Sequence, residues 1–325
     1  MNTPTRFDRV AIVGAGVSGL TCGVVFAERG FRTTVLAEQI GQQTTSGAAG
    51  ALWFPYDAEP ADKVIPWSLA TYKVLVDLAQ DSKSGVSIIE LRQYCRAGEI
   101  QIPDWARDLD ARDVLDRPQA GDYNFSSGFS LRVPLMNTTS YLDYLADRFQ
   151  KSGGEIFSVR FNKLEDVDPK FDLVINCAGI GARELAQDVE LEPHRGQVAI
   201  VPKIENLKCA IVCDDDPLMY AIPRTNDCVF GGTNAVSNDL NPDPKTTKAI
   251  VAECSRVLKI ENPRVLRERV GLRPFRKSGV RLERQKLRDG RTVIHNYGHG
   301  GSGFTLSWGC AKAVLQITLD ERQAA

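Results

Sequence analysis

Two glycine-rich stretches, at opposite ends of this 325-residue chain, combine residue types and spacings suited to a flat, phosphate-bearing ligand. The first, Gly14-Ala15-Gly16-Val17-Ser18-Gly19, is a G-x-G-x-x-G run. In such a run the first glycine allows a tight turn, the second lets a pyrophosphate approach the backbone, and the third lets helix and strand pack closely. An acid about 20 residues further on would hold ribose hydroxyls, and Glu38 stands there. The second stretch, His295-Asn296-Tyr297-Gly298-His299-Gly300-Gly301-Ser302-Gly303-Phe304-Thr305, has four glycines in six residues. A backbone without Cβ atoms can press against a ring, and a helix N-terminus beside it favours an anion or an electron-rich edge.

Both stretches need a strand before them and a helix behind them. Arg9-Val10-Ala11-Ile12-Val13 predicts a strand running into the first turn, followed by an amphipathic helix to about Arg29 and a second strand at Thr33-Thr34-Val35-Leu36. Strand, turn, helix, strand and acid in that order mark a dinucleotide site, without separating FAD from NAD. Arg291-Thr292-Val293-Ile294 predicts the strand before the second loop, and Phe304, Trp308, Ala311 and Leu315 share one face of the helix after it.

Composition narrows the class. Hydrophobic content of 43%, charged content of 25% and a formal net charge of −1 are ordinary for a globular protein. They give no electrostatic case for nucleic acid or an anionic membrane. No apolar run approaches the ~18 residues of a membrane span. The N-terminus enters the first strand at once, leaving no room for a secretory signal, and Arg322-Gln323-Ala324-Ala325 carries no peroxisomal tripeptide. The eight cysteines include no C-x-x-C pair, and the three histidines no zinc spacing. A cytoplasmic, reduced chain without a metal is expected.

Along the chain, residues 1–60 read as strand–helix–strand. Residues 62–132 read as irregular, with a helical patch at 67–78. A helix from about Asn137, with Tyr141, Leu142, Leu145 and Phe149 on one face, stops at Gly153-Gly154. A strand at 156–160 follows, and Phe171-Asp172-Leu173-Val174-Ile175-Asn176 reads as a buried parallel strand. Residues 194–287 change to short meander strands, and the final segment returns to strand, glycine loop and helix. An α/β fold with two discontinuous domains follows. Residues 1–61, 133–193 and 288–325 would form the dinucleotide domain; 62–132 and 194–287 would form an α+β second domain with an antiparallel-rich sheet.

Several motifs in order carry a resemblance. They are Val13-Gly14-Ala15-Gly16-Val17-Ser18-Gly19-Leu20, Ala48-Ala49-Gly50-Ala51-Leu52-Trp53-Phe54-Pro55-Tyr56, Val174-Ile175-Asn176-Cys177-Ala178-Gly179, Arg195-Gly196-Gln197, Gly231-Gly232-Thr233, Gly271-Leu272-Arg273-Pro274, Val280-Arg281-Leu282-Glu283 and the late glycine loop. Over nearly its full length the chain resembles the flavin-dependent D-amino-acid oxidases. The resemblance implies a Rossmann-like domain with non-covalent FAD, and hydride transfer from the Cα of a D-amino acid to flavin N5. It also implies release of an imino acid that hydrolyses to a 2-oxo acid and ammonia, with oxygen reduced to hydrogen peroxide. Its partners are a small D-amino acid and oxygen, and it is compatible with a homodimer.

The resemblance also assigns residues. Arg273 would clamp the substrate carboxylate, a planar two-pronged contact that lysine cannot make. The Tyr220 hydroxyl would bond the same carboxylate, and the Gly301 carbonyl would meet the amine. Ala15, Gly16, Val17, Ser18, Glu38 and Gln39 would hold the pyrophosphate and adenosine end, with Phe161 reaching the adenine side through its backbone. Thr44, Thr45, Ser46, Gly50, Ala51 and Leu52 would follow the ribityl chain and ring. Gly300, Gly301, Ser302, Gly303, Phe304 and Thr305 would surround the pyrimidine edge, and Ser302 would also face the substrate. No general base is needed, and His295 and His299 read as structural.

Two departures bear on substrate. The run Asp214-Asp215-Asp216-Pro217-Leu218-Met219-Tyr220 is short and lacks the second tyrosine of lid-bearing members, so an open site with faster product release is expected. Asn234 follows Gly231-Gly232-Thr233 where acid-specific relatives place an arginine. An unpaired substrate carboxylate there would be costly, so neutral D-amino acids are preferred. The alternatives are a D-aspartate or glycine/sarcosine-type amine oxidase and, on the first motif alone, an NAD-dependent dehydrogenase.

Overall fold

The computed structural model describes residues 7–114, 119, 120 and 123–320. The chain divides into two compact units, one of residues 1–86, 138–193 and 273–325 and one of residues 87–137 and 194–272. Each unit has its own sheet.

The first unit is built on a six-stranded sheet. Its order is Arg281–Lys286, Thr292–Tyr297, Leu173–Asn176, Arg9–Ala15, Arg32–Ile40 and Glu155–Ser158. All neighbours run parallel except Arg281–Lys286, which is antiparallel to Thr292–Tyr297. The central strand is buried on both faces, with Val10, Ala11 and Ile12 fully enclosed, which is why it reads as a continuous apolar run. Its helix, Val17–Ala27, packs on the C-terminal helix Gly303–Asp320 and on Thr138–Lys151. Glycines make these approaches possible. A Cβ on Gly23 would stand 3.1 Å from the Phe149 ring, and one on Gly309 would stand 2.6 Å from the Trp67 Cα of helix Ala61–Leu78.

The second unit holds most of a nine-stranded sheet. Met219–Pro223 pairs antiparallel with Cys209–Cys213 and with Asp227–Gly231, and Asp227–Gly231 pairs antiparallel with Leu191–Pro202. Cys209–Cys213 pairs parallel with Val86–Cys95, and Ser127–Met136 lies beyond it. Helix Pro244–Leu258 covers one face, placing Ile250, Val251, Cys254 and Val257 on Met219, Ala221, Cys228 and Phe230.

The stretch expected to be irregular thus contributes two ten-residue strands, Val86–Cys95 and Ser127–Met136. Their polar residues concealed them. Glu90 pairs with Arg92 at 2.6 Å, and Gln93 Nε2 donates to Asp214 at 2.8 Å. The helical patch expected at 67–78 begins earlier, at Ala61, and carries Pro66 inside it. Among the described residues no helix is long and apolar enough to cross a membrane.

Candidate active site

The first glycine turn has the shape that a pyrophosphate requires. Gly14 sits at φ +111°, and a Cβ there would meet the Cys177 carbonyl carbon at 2.8 Å. A Cβ on Gly19 would strike the carbonyl oxygen of Gly14. Gly16 caps the helix Val17–Ala27, whose N-cap makes no side-chain hydrogen bond and whose first turn has no acid. The positive end of that helix is therefore available to an anion. Ser46 Oγ accepts from Val17 N at 3.0 Å, tying the 44–46 segment to the turn. The residues fit a dinucleotide: a Cβ on Gly16 would meet only Ser46 Oγ within 4 Å, at 3.1 Å.

The remaining cofactor candidates lie in the same unit. Glu38 and Gln39 are exposed near the end of strand Arg32–Ile40, where Arg160 approaches Glu38 at 3.6 Å. Ala15 and Val17 are buried in the turn, and Ser18 is half-buried. Thr44, Ser46, Gly50 and Leu52 are half-buried, and Thr45 is exposed. Ala51 is buried at φ 54°, an uncommon conformation for a residue with a side chain. Phe161 is half-buried against the cluster of Ala11, Val13, Leu36 and Phe171.

In the late loop, polar side chains are consumed in holding the backbone. His295 Nε2 donates to Gln285 Oε1 at 2.9 Å, and its Nδ1 meets Asn176 Nδ2 at 3.3 Å. Asn296 Nδ2 reaches the Cys22 and Cys177 sulfurs at 3.3 and 3.6 Å, and Asn296 Oδ1 accepts from His299 Nε2 at 3.0 Å. Tyr297 donates to Asp188 at 2.8 Å and accepts from Arg281 at 2.7 Å. Burial, assisted by the Arg281 charge, lowers the His295 pKa to about 4; burial lowers His299 to about 4. Both imidazoles are therefore neutral at neutral pH. Burial alone would raise the Asp188 pKa, but hydrogen bonds from Arg276 and Tyr297 hold it below the usual range.

The same network brings Arg273 to the loop. Asp188 accepts from Arg276 at 2.8 Å, Gly300 N donates to the Pro274 carbonyl at 2.9 Å, and Phe275 bridges to His299. A Cβ on Gly301 would stand 3.7 Å from Arg273 Cδ and 2.6 Å from the Tyr56 ring. Arg273 and Gly301 are thus neighbours, with Gly301 exposed and Arg273 half-buried. Gly300, at φ +50°, has no room for a side chain because the Asp57 carbonyl occupies that space.

The hydroxyls of Ser302 and Thr305 bind the backbone of residues 54–56. Tyr56 N donates to Ser302 Oγ at 2.7 Å, and Ser302 Oγ donates to the Tyr56 carbonyl. Phe54 N donates to Thr305 Oγ1 at 3.0 Å, and Thr305 Oγ1 donates back to the Phe54 carbonyl at 2.9 Å. Gly303 opens the C-terminal helix and Phe304 is buried in its first turn. Tyr56 enters the sequence reading only as the end of a motif, without a role, because its partner Ser302 lies 246 residues away in the chain.

Tyr220 and Asn234 belong to the second unit. Tyr220 is half-buried opposite Gly231, and Asn234 is exposed. The five residues between Cys213 and Met219 form a hairpin loop held by Arg96, whose guanidinium donates to the Pro217 carbonyl at 2.8 Å.

Comparison with known proteins identifies the family and the fold. The family model for FAD dependent oxidoreductases matches residues 9–317. The chain is 38% identical to a D-amino-acid oxidase of Rubrobacter xylanophilus over 95% of each sequence. It is 38% identical to one of Streptomyces coelicolor over 96% of this chain and 97% of that one. A human D-aspartate oxidase is 32% identical over 95% of this chain and 94% of its own. Among solved structures, a glycine oxidase from Geobacillus kaustophilus superposes with a TM-score of 0.80 at 16% identity, covering 98% of this chain and 95% of that one. With the dinucleotide turn, the glycine loop and Arg273 all inside the matched span, the chain belongs to the D-amino-acid oxidase family of FAD-dependent oxidoreductases.

Proposed function

We propose that this enzyme oxidises neutral D-amino acids, with Arg273, Tyr220 and the Gly301 carbonyl holding the substrate. FAD, when bound, accepts the Cα hydride and passes the electrons to oxygen, giving hydrogen peroxide. The chain's own residues bind and orient. Arg273 pairs with the carboxylate through its planar fork, Tyr220 adds a hydrogen bond, and the Gly301 carbonyl accepts from the amine, so that Cα–H is aimed at the ring. Amides at the start of helix Gly303–Asp320 would favour negative charge on a flavin held there. The observation that carries the reading is the hydrogen bond from Gly300 N to the Pro274 carbonyl, 2.9 Å, which fixes Arg273 beside the glycine loop.

In the same reading the first unit holds FAD, on residues 15–18, Glu38, Gln39, residues 44–46 and 50–52, Phe161 and the 300–305 loop, and the second unit contributes to substrate choice. The exposed, uncharged Asn234 supports a neutral side chain, and the short 214–218 loop supports quick product release. Eight free cysteines fit a reducing cytoplasm. A peroxide-coupled panel of D- and L-amino acids tests the proposal. D-alanine or D-valine should give a higher kcat/KM than D-aspartate, and L-isomers should give none. A preference for D-aspartate would overturn the assignment of a neutral substrate.

A further inference from the structure

We propose that Gly231 and Gly232 are positioning residues for Tyr220: their bare backbone is the bed on which the phenol ring lies, and it sets where the hydroxyl points. The inference rests on the reading of Tyr220 as a carboxylate partner. Met219 and Ala221 enter the core beneath helix Pro244–Leu258, so the alternation of a strand sends Tyr220 to the opposite face. There it stands across from Gly231 on the neighbouring strand.

A Cβ on Gly231 would overlap ring atoms Cζ and Cε2 and come within 2.5 Å of the hydroxyl oxygen. A Cβ on Gly232 would stand 2.6 Å from Cε1, 2.9 Å from Cζ and 2.8 Å from the hydroxyl. The ring therefore lies flat across the dipeptide, with one edge over each glycine. Neither residue is among the glycines of positive φ. What these positions require is space for the ring, not a conformation that only glycine adopts.

The bed is held from behind. The Cys254 thiol approaches the Tyr220 and Gly231 carbonyls at 3.5 and 3.6 Å. Gln197 N donates to Thr233 Oγ1 at 2.9 Å, and Thr233 Oγ1 donates to the Arg195 carbonyl at 3.2 Å. The Gln197 side chain is fully buried, donating to Thr247 at 2.7 Å and to the Asp243 carbonyl at 2.9 Å. A backbone fixed at these points cannot retreat, so an added carbon must lift the ring.

The test is a double-mutant cycle on FAD-loaded enzyme, with the D-amino acid turned over best in the panel. Gly231→Ala should lower kcat/KM about tenfold or more, carried by KM, with the visible flavin spectrum unchanged. In a Tyr220→Ala background the same substitution should change kcat/KM less than about twofold, because the ring is gone. An equal loss in both backgrounds, or no loss in either, overturns the inference. Should Gly231→Ala fail to fold, Gly232→Ala takes its place in the same cycle with the same outcomes. Tyr220→Phe separates the two claims. If it leaves kcat/KM unchanged, the clamp reading falls and this inference with it. If it lowers kcat/KM while the glycine substitution acts equally in both backgrounds, only the positioning role falls.

Discussion

Arg273 is the residue on which the proposed chemistry most depends, and the residues that follow it are tied to the first unit's network. The carboxylate of Asp188 goes to Arg276, and the neighbouring Pro274 carbonyl goes to Gly300. Arg273→Ala should fold and retain FAD yet lose about 3–5 kcal/mol of transition-state stabilisation, roughly two to four decades in kcat/KM. Steady-state kinetics beside the flavin spectrum checks this, and a loss under about tenfold would place the clamp elsewhere. The two glycine stretches were legible because residue type and local spacing define them, whereas Arg273 was singled out only by the resemblance. The partnership of Ser302 with Tyr56 was not, since no local pattern ties a hydroxyl to a backbone some 246 residues away.

At the scale of elements, the two glycine turns do different work. In the first, Gly14 and Gly19 are pressed against Cys177 and against each other, so the turn exists only with both. Gly19→Ala should therefore yield protein with little bound FAD and a lower melting temperature, read from the flavin absorbance of the purified protein and a thermal melt. Gly30→Ala is the control: at φ +84° with nothing within 4 Å of the added carbon, it should cost only about 1 kcal/mol of backbone strain and keep its FAD. The buried parallel strands of the six-stranded sheet were readable because they are plain apolar runs, as in Leu173-Val174-Ile175-Asn176, whereas the polar antiparallel edge strand Arg281–Lys286 was assigned to the second domain. Val86–Cys95 was not, because Glu90, Arg92 and Gln93 interrupt its pattern and find partners only in the folded sheet.

For the whole molecule, the buried histidines set a pH limit on stability. His295 and His299 are held at about 4 in the fold, against about 6.5 in an unfolded chain. Between those values the unfolded state binds more protons, so stability rises with pH and is lost as pH falls from about 6.5 toward 4. With both histidines contributing, the slope approaches ~2.7 kcal/mol per pH unit. Thermal melts of the FAD-loaded enzyme should show a clear drop between pH 7 and pH 5, and an unchanged melting temperature would mean that these rings are not held neutral. The central claim, that the flavin site takes its hydride from a D-amino acid, is tested most directly by mixing the FAD-loaded enzyme with D- and L-alanine without oxygen. The account predicts that the D-isomer bleaches the visible flavin absorbance and the L-isomer leaves it intact; bleaching by L-alanine as fast as by D-alanine would contradict it.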